Sequence, residues 1–239
     1  MDKWQKQRIM RAMGTADKFG LLQKLVPIGV RRHFAKKRTI LFQGEIPRAV
    51  MLLQKGLVKV YGITSTGDQR TVTLLTEGDV FPMSWVFGKS PVCVYYYEAL
   101  TDCTVVAVTK DEYLKALESD KALKEQIFEN YMSHYIASTM HVYALEQSHA
   151  QDKLAYILHY LVARFGEKVG DGRYKINLRL SHQDIAEMVG ITRETTAVEL
   201  HRLKKKGLID YQKFTYYVDK PKLVRATGSD EFENVEVGT

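Results

Sequence analysis

Between residues 39 and 109 the chain alternates short apolar and β-branched runs with turn signals, a strand pattern rather than a helical one. The runs are separated by Gln43-Gly44-Glu45, Lys55-Gly56, Ser65-Thr66-Gly67-Asp68, Glu77-Gly78-Asp79 and Thr101-Asp102. They recur roughly every 10–12 residues, the spacing expected of a β-sandwich or barrel. Gly67-Asp68, set between the runs 58–61 and 71–74, predicts a hairpin turn.

The pattern changes after Asp111. Residues 120–149 contain neither Gly nor Pro, which predicts one long helix. Ile127, Tyr131, His134, Ser138, His141, Leu145 and Ser148 follow the 4-3-4-3 spacing of a coiled-coil seam. It is a polar seam, suited to an adjustable pairing of two copies. A helix packed on its own domain is the alternative. A break near 148–151 leads to a second helix over 152–164, then to a polar, glycine-containing loop over 166–172.

The next stretch carries capping signals. Ser181 with Asp184 three residues on forms a capping box. Gly190 ends that helix, Thr192 caps another, and Gly207 stops it after Lys206. Two helices joined by a short glycine turn predict a helix-turn-helix. Strand-like residues 208–210 and 215–218 would add a hairpin wing. The tail after Pro221 has Asp230, Glu231, Glu233 and Glu236 and no strong periodicity, and reads as flexible.

Composition narrows the class. With 239 residues, 45% of them hydrophobic and 26% charged, the chain can bury two ordinary globular cores. No stretch approaches the roughly 18 apolar residues of a membrane span. The N-terminal residues lack the apolar region of a secretory signal, so a cytoplasmic location is expected. Cys93 and Cys103 are too few for a structural zinc or a cysteine-ligated iron–sulfur cluster. Net charge is +7. Residues 1–41 hold eleven Lys/Arg against Asp2 and Asp17, so the excess lies at the N-terminal end, densest at Arg31, Arg32, His33, Lys36, Lys37 and Arg38. That favours an anionic partner such as nucleic acid, although a solvated charged face would look the same. There is no P-loop, dinucleotide fingerprint or G-x-S-x-G. His33 is the only histidine before the long helix, which removes a metal-dependent cupin. An enzyme is not expected.

Three motifs in order carry a resemblance. Phe42-Gln43-Gly44-Glu45 and Glu77-Gly78-Asp79-Val80-Phe81 look like two turns of a β-roll, and residues 185–195 look like a helix-turn-helix signature. Together they resemble the CRP/FNR family of bacterial transcription regulators over roughly residues 20–220. The resemblance implies an α+β fold: an N-terminal β-roll of the cyclic-nucleotide-binding, jelly-roll kind, a long dimerisation helix, and a C-terminal winged helix-turn-helix. The expected divisions are a basic arm over 1–19, the effector-sensing roll over 20–118, the dimerisation helix over 119–149, the DNA-binding domain over 150–220 and a tail over 221–239.

By that resemblance the protein is a homodimer that binds an inverted repeat in double-stranded DNA. Arg193 and Glu194 match the family's base-contacting positions. Arginine can pair with guanine N7 and O6, and glutamate can accept from cytosine N4. Ser181, Thr192, Thr195 and Arg202 complete the expected DNA-contacting set, with phosphate contacts from Ser181, Thr195 and helix-start amides. Val198 departs from the pattern, standing where the family usually has Arg. It can touch a thymine methyl but cannot donate a hydrogen bond. Thr196 and Glu199 also stand where apolar residues are usual. The turn 65–70 and the loop 169–174 match places where relatives touch RNA polymerase.

The sensory pocket departs further. Ungapped register puts Cys93 and Val94 where cyclic-AMP-binding members carry the Arg-Ser that grips the phosphate, and Met83 where they carry a ribose-binding Glu. Burying a phosphate without a guanidinium is costly, which argues against cyclic AMP. Ser138 and Thr139 do match the family's adenine-contacting hydroxyls. The expected wall is Phe81, Met83, Trp85, Cys93, Val94 and Tyr96 with Tyr135, Ser138 and Thr139 from the long helix. An apolar or aromatic effector, or no effector at all, fits that wall. Cys93 is an inert thiol or a redox group. Haem would need an axial ligand such as His134 or His141, for which seam or exposed positions are the better account. The competing reading is a small-molecule-binding or redox-sensing roll that acts through protein contacts.

Overall fold

The computed structural model describes residues 25–230. The expected N-terminal arm and residues 231–239 of the tail lie outside the described residues. The chain forms two compact units that part at Tyr131 and Met132.

The first unit is a roll of two four-stranded antiparallel sheets. One has the order β1 (Val30–Phe34), β8 (Cys103–Val108), β3 (Val50–Lys55), β6 (Val80–Phe81). The other has the order β2 (Thr39–Leu41), β7 (Tyr96–Ala99), β4 (Val58–Ile63), β5 (Gln69–Leu75). The expected hairpin at Gly67 is present: Gly67 has φ of 87° and β4 pairs with β5 from Ile63↔Gln69 to Val58↔Leu75. Only a residue without a Cβ adopts that φ cheaply.

Period-2 alternation builds two cores from the first sheet. Met51, Leu53, Phe81 and Val105 point between the sheets, where they meet Val58, Val60, Tyr97 and Ala99. Val50, Leu52, Val80, Val106 and Val108 point outward. That outer face is covered by α2 (Lys110–Ser119) through Tyr113 and Leu117, and by the start of α3 (Lys121–Leu145) through Leu123 and Ile127. Because both faces are buried, Val50–Leu53 and Val105–Val108 read as continuous apolar runs. The short α1 (Met83–Val86) precedes β7 and sets Met83 and Trp85 against the outer core. Thr109 opens α2 with a capping box to Glu112.

The second unit centres on α4 (Ala150–Phe165), which is buried on all sides from Leu154 to Val162. Around it stand α5 (His182–Val189), α6 (Arg193–Lys205) and a four-stranded sheet of order β11 (Ile209–Gln212), β12 (Thr215–Asp219), β10 (Arg173–Ile176), β9 (Gly166–Lys168). The segment over 166–172, expected to be a loop, is half strand: β9 pairs with β10 and so extends the wing sheet.

The tail also differs from expectation. Residues 220–227 form α7 (Lys220–Thr227), capped by Asp219, whose side chain accepts from Lys222 N, and closed by Gly228 at φ 64°. Leu223 and Val224 are buried. Tyr156 of α4 donates to Thr227 O, and His159 Nε2 lies 3.2 Å from Ser229 Oγ. Short-range capping and two apolar anchors suffice for a two-turn helix that periodicity alone did not reveal. Among the described residues no helix is long and apolar enough to cross a membrane.

Candidate DNA-reading surface and sensory roll

Local chemistry fixes the helix-turn-helix. Ser181 accepts from Asp184 N while Asp184 accepts from Ser181 N at 2.7 Å, so two orphan amides of α5 are satisfied. Gly190, at φ 69°, ends α5 with its N–H on Ala186 O. Thr192 then caps α6, accepting from Thr195 N at 3.1 Å. The hydroxyls of Ser181 and Thr195 are thus engaged in capping, at 2.6 Å to Asp184 Oδ2 and 2.9 Å to Thr192 Oγ1. A hydroxyl can still accept while it donates, so phosphate contact is compatible with this geometry.

Helix α6 is sharply two-sided. Thr196, Glu199, Leu200 and Leu203 are buried. Thr192, Arg193, Glu194, Val198 and Arg202 are exposed, so five of the six contacts expected from Thr192 onward lie in solvent, the half-buried Thr195 being the sixth. Of the two departures from apolar core, Thr196 is satisfied, whereas Glu199 is satisfied at Oε1 alone and leaves Oε2 buried without a hydrogen-bond partner among the described residues. Thr196 donates to Thr192 O at 2.9 Å, and Glu199 accepts from Arg202 Nη1 at 2.6 Å. His201 is also exposed on this helix. Sequence reasoning passed over it, although it lies three residues beyond Val198 and so near the same face.

The surroundings are cationic. Arg193 lies close enough to His182 to push its pKa down, second to burial of the ring. The wing turns at Lys213, with φ of 55°, and exposes Phe214 against the Arg179 guanidinium. Lys204 pairs with Asp210 at 2.7 Å, tying the end of α6 to β11.

The roll places the expected pocket residues on different faces. Phe81 and Cys93 lie inside, as expected, and Phe81 stacks on Tyr97 at 5.1 Å. Tyr96 is not an inner residue. It opposes Tyr61 in the β4–β7 ladder and stacks on it at 5.2 Å, on the face opposite Tyr97. Met83 and Trp85 pack on the outer core, with Lys110 Nζ over the indole at 4.9 Å. The α1 turn faces them toward α2 and away from the roll interior. Val94 is exposed. On α3, Tyr135, Ser138 and Thr139 are exposed, and both hydroxyls bond back to their own helix, at His134 O and Ile136 O.

The Cys93 position does not suit an anion. Burial, then the nearby Glu45 charge, push the thiol up to about 11. The Cys93 N–H is taken by Glu45 O at 2.8 Å. A phosphate here would meet a carboxylate and no guanidinium from Cys93 or Val94, so these residues do not fit the nucleotide that this kind of domain is named for. A thiol held that high is a poor nucleophile at neutral pH, which also weakens the redox reading.

The expected seam divides into two rows. Ile127 is buried in the outer core of the roll. His141 is buried, its Nε2 2.7 Å from Met188 O. His134 accepts from Arg164 Nη1 at 2.9 Å. Of these three, expected to face a second copy, Ile127 and His141 are buried in their own chain and His134 is half-buried against Arg164, so both imidazoles are already engaged. Tyr131, Ser138 and Leu145 are exposed, and Phe128, Tyr135 and Val142 continue their row. The 4-3-4-3 line chosen from sequence ran along the border of two faces, each with that spacing.

Comparison with known proteins accords with this architecture. Residues 31–120 match the cyclic nucleotide-binding domain family, and residues 152–226 match the Crp-like helix-turn-helix domain family. The chain is 31% identical over 189 residues to a global nitrogen regulator of Nostoc sp. (strain PCC 7120), covering 79% of this chain and 84% of that one. It is 24% identical over 187 residues to the nitrogen fixation regulation protein FixK of Azorhizobium caulinodans, covering 78% and 74%. In fold it is similar to a solved CooA mutant from Carboxydothermus hydrogenoformans, with TM-score 0.75 at 20% identity over 90% of this chain and 97% of that one. A nucleotide-domain roll, a long helix and an outward-facing helix-turn-helix, in that order and shared with these regulators, establish that the chain belongs to the CRP/FNR family of DNA-binding transcription regulators.

Proposed function

We propose that this chain works as a homodimer that reads an inverted repeat with α6, under an effector other than cyclic AMP or under none. The carrying observation is the two-sidedness of α6: Thr196, Leu200 and Leu203 anchor it while Arg193, Glu194 and Val198 stand in solvent. Arg193 reads guanine, Glu194 accepts from cytosine, and Val198 packs on a thymine methyl. Thr192, Thr195, Ser181, Arg202 and the helix-start amides hold phosphates. The second copy docks along Phe128, Tyr131, Tyr135, Ser138, Val142 and Leu145. Rejection of cyclic AMP rests on Cys93, Val94 and Glu45. Phe81 and Tyr97 stack on each other inside the roll, an apolar contact that supports activity without a nucleotide. The turn 65–70 and the segment 169–174 are the surfaces proposed for RNA polymerase.

Selection from a random duplex pool, with full-length protein, reductant and no ligand, tests this reading. Enrichment of an inverted repeat is expected. Enrichment that requires cyclic AMP would overturn the effector assignment. No enrichment with or without cyclic AMP would overturn activity without an effector, leaving an off state that depends on another ligand or a wrong reading of α6.

A further inference from the structure

We propose that His201 is a specificity-determining residue of α6, its imidazole reading a purine in each half-site. The inference rests on the reading of α6 as the base-reading helix and goes beyond it by naming a further reader.

Glu194, Val198, His201 and Lys205 follow 4-3-4 spacing and are all exposed, so they form one line along the outer face of α6. On that line Val198 carries no polar atom. A helical side chain leans over the turn N-terminal to its own Cα. For His201 that turn holds Ala197 and Val198, so nothing polar stands between the imidazole and the groove.

Arg202 is the obvious rival as inner reader, and the structure draws it aside. Its Nη1 donates at 2.6 Å to Glu199, a residue whose side chain belongs to the buried side of the helix. The guanidinium therefore leans to the flank, where a phosphate strand lies if α6 enters the major groove. His201 makes no hydrogen bond or ion pair among the described residues. Its ring is free to meet a base edge.

Distance along the helix is suitable. Seven residues separate Glu194 from His201, roughly 10 Å of rise, or about three base-pair steps. Val198 precedes His201 by about 4.5 Å, so His201 meets the base pair next to the one facing Val198. An imidazole N–H donates to purine N7, an acceptor that both adenine and guanine present in the major groove and pyrimidines lack. The expected signature is purine over pyrimidine at one position. Lys205 lies about 16 Å beyond Glu194, with Lys204 and Lys206 beside it, and is placed for phosphates.

The test compares position matrices of the full-length protein, His201→Ala and Arg202→Ala, obtained by the same duplex selection and by competition with singly substituted sites. The unaltered protein should prefer a purine at the column beside that of Val198 by roughly 5- to 150-fold, the usual cost range of one mismatched pair. His201→Ala should flatten that column and leave the others, and the salt slope, unchanged. Arg202→Ala should weaken all duplexes alike and make the salt slope shallower by about one. A uniform loss in His201→Ala would make His201 a phosphate contact, and an unchanged matrix would make it a bystander; either overturns the proposal while leaving the reading of α6 intact. If the unaltered protein enriches no inverted repeat, that reading fails and His201 falls with it.

Discussion

Arg193 and His159 show how differently two basic side chain types are used in one domain, one exposed and charged, the other buried and neutral. Arg193 stands exposed at the first position of α6, the place proposed above for a bidentate contact with guanine. Arg193→Ala should weaken the preferred site by roughly 1–3 kcal/mol and relax a single position of each half-site. Competition with single-substituted duplexes measures it, and an equal loss on every sequence would reduce Arg193 to a phosphate contact. His159 is buried between α4 and α7, 3.2 Å from both Thr227 Oγ1 and Ser229 Oγ. Burial first, then the Lys220 charge, push its pKa down to about 4. Unfolded, the same ring titrates near 6.5. Below about pH 6.5 the unfolded chain therefore binds a proton that the native chain refuses. Stability from this residue is complete above that pH, declines toward pH 4 and is then spent, on the order of 3 kcal/mol in all. Thermal unfolding at pH 7.5 and 4.5 should show a smaller acid loss in His159→Gln than in the unaltered protein. Equal losses would mean that the native imidazole is hydrated.

At the scale of elements, α3 carries the sharpest test because its two rows have opposite fates. Tyr135 is 61% exposed, and Ile127 is 7% exposed in the roll core. Tyr135→Glu should give a monomer by sedimentation with the melting temperature of the roll nearly unchanged, since a lone exposed ring contributes little to its own fold. Ile127→Glu should instead unfold the roll, because it buries an unpaired carboxylate. A Tyr135→Glu protein that stays dimeric would place the partner elsewhere. The same helix shows where sequence was legible and where it stopped. Its existence followed from thirty residues without Gly or Pro. Its seam did not, because Ile127, His134 and His141 obey the same spacing as Tyr131, Ser138 and Leu145, and only tertiary contacts separate them. The helix-turn-helix was read nearly residue by residue, since Ser181, Asp184, Gly190 and Thr192 act within their own turns. Tyr96 was assigned to the wrong face because alternation says that Tyr96 and Tyr97 differ, not which one points inward; the ladder Val60↔Tyr97 and Tyr61↔Tyr96 decides that. For α7, the signals at Asp219, Pro221 and Gly228 were present but bracket only eight residues.

For the whole molecule, the proposed pairing of two copies would convert a short contact into a specific one. A single α6 offers few base-reading side chains, and mismatch costs of roughly 1–3 kcal/mol each cannot separate one site from a genome of competitors. Two copies double both the readers and the phosphate contacts, so the dimer should lose affinity with salt about twice as steeply, in logarithmic terms, as the Tyr135→Glu monomer. Two-fold pairing also fixes the target: two half-sites about one helical turn, roughly 34 Å, apart. Inserting about five base pairs between the half-sites puts the second half-site on the opposite face of the duplex. Affinity should then fall to that of an isolated half-site, and the salt slope should fall with it. Titration of the two duplexes with the unaltered protein, at two salt concentrations, decides the matter. Unchanged affinity on the lengthened site would mean that each helix-turn-helix binds independently, and the exposed row of α3 would then have to serve some purpose other than setting the distance between two reading heads.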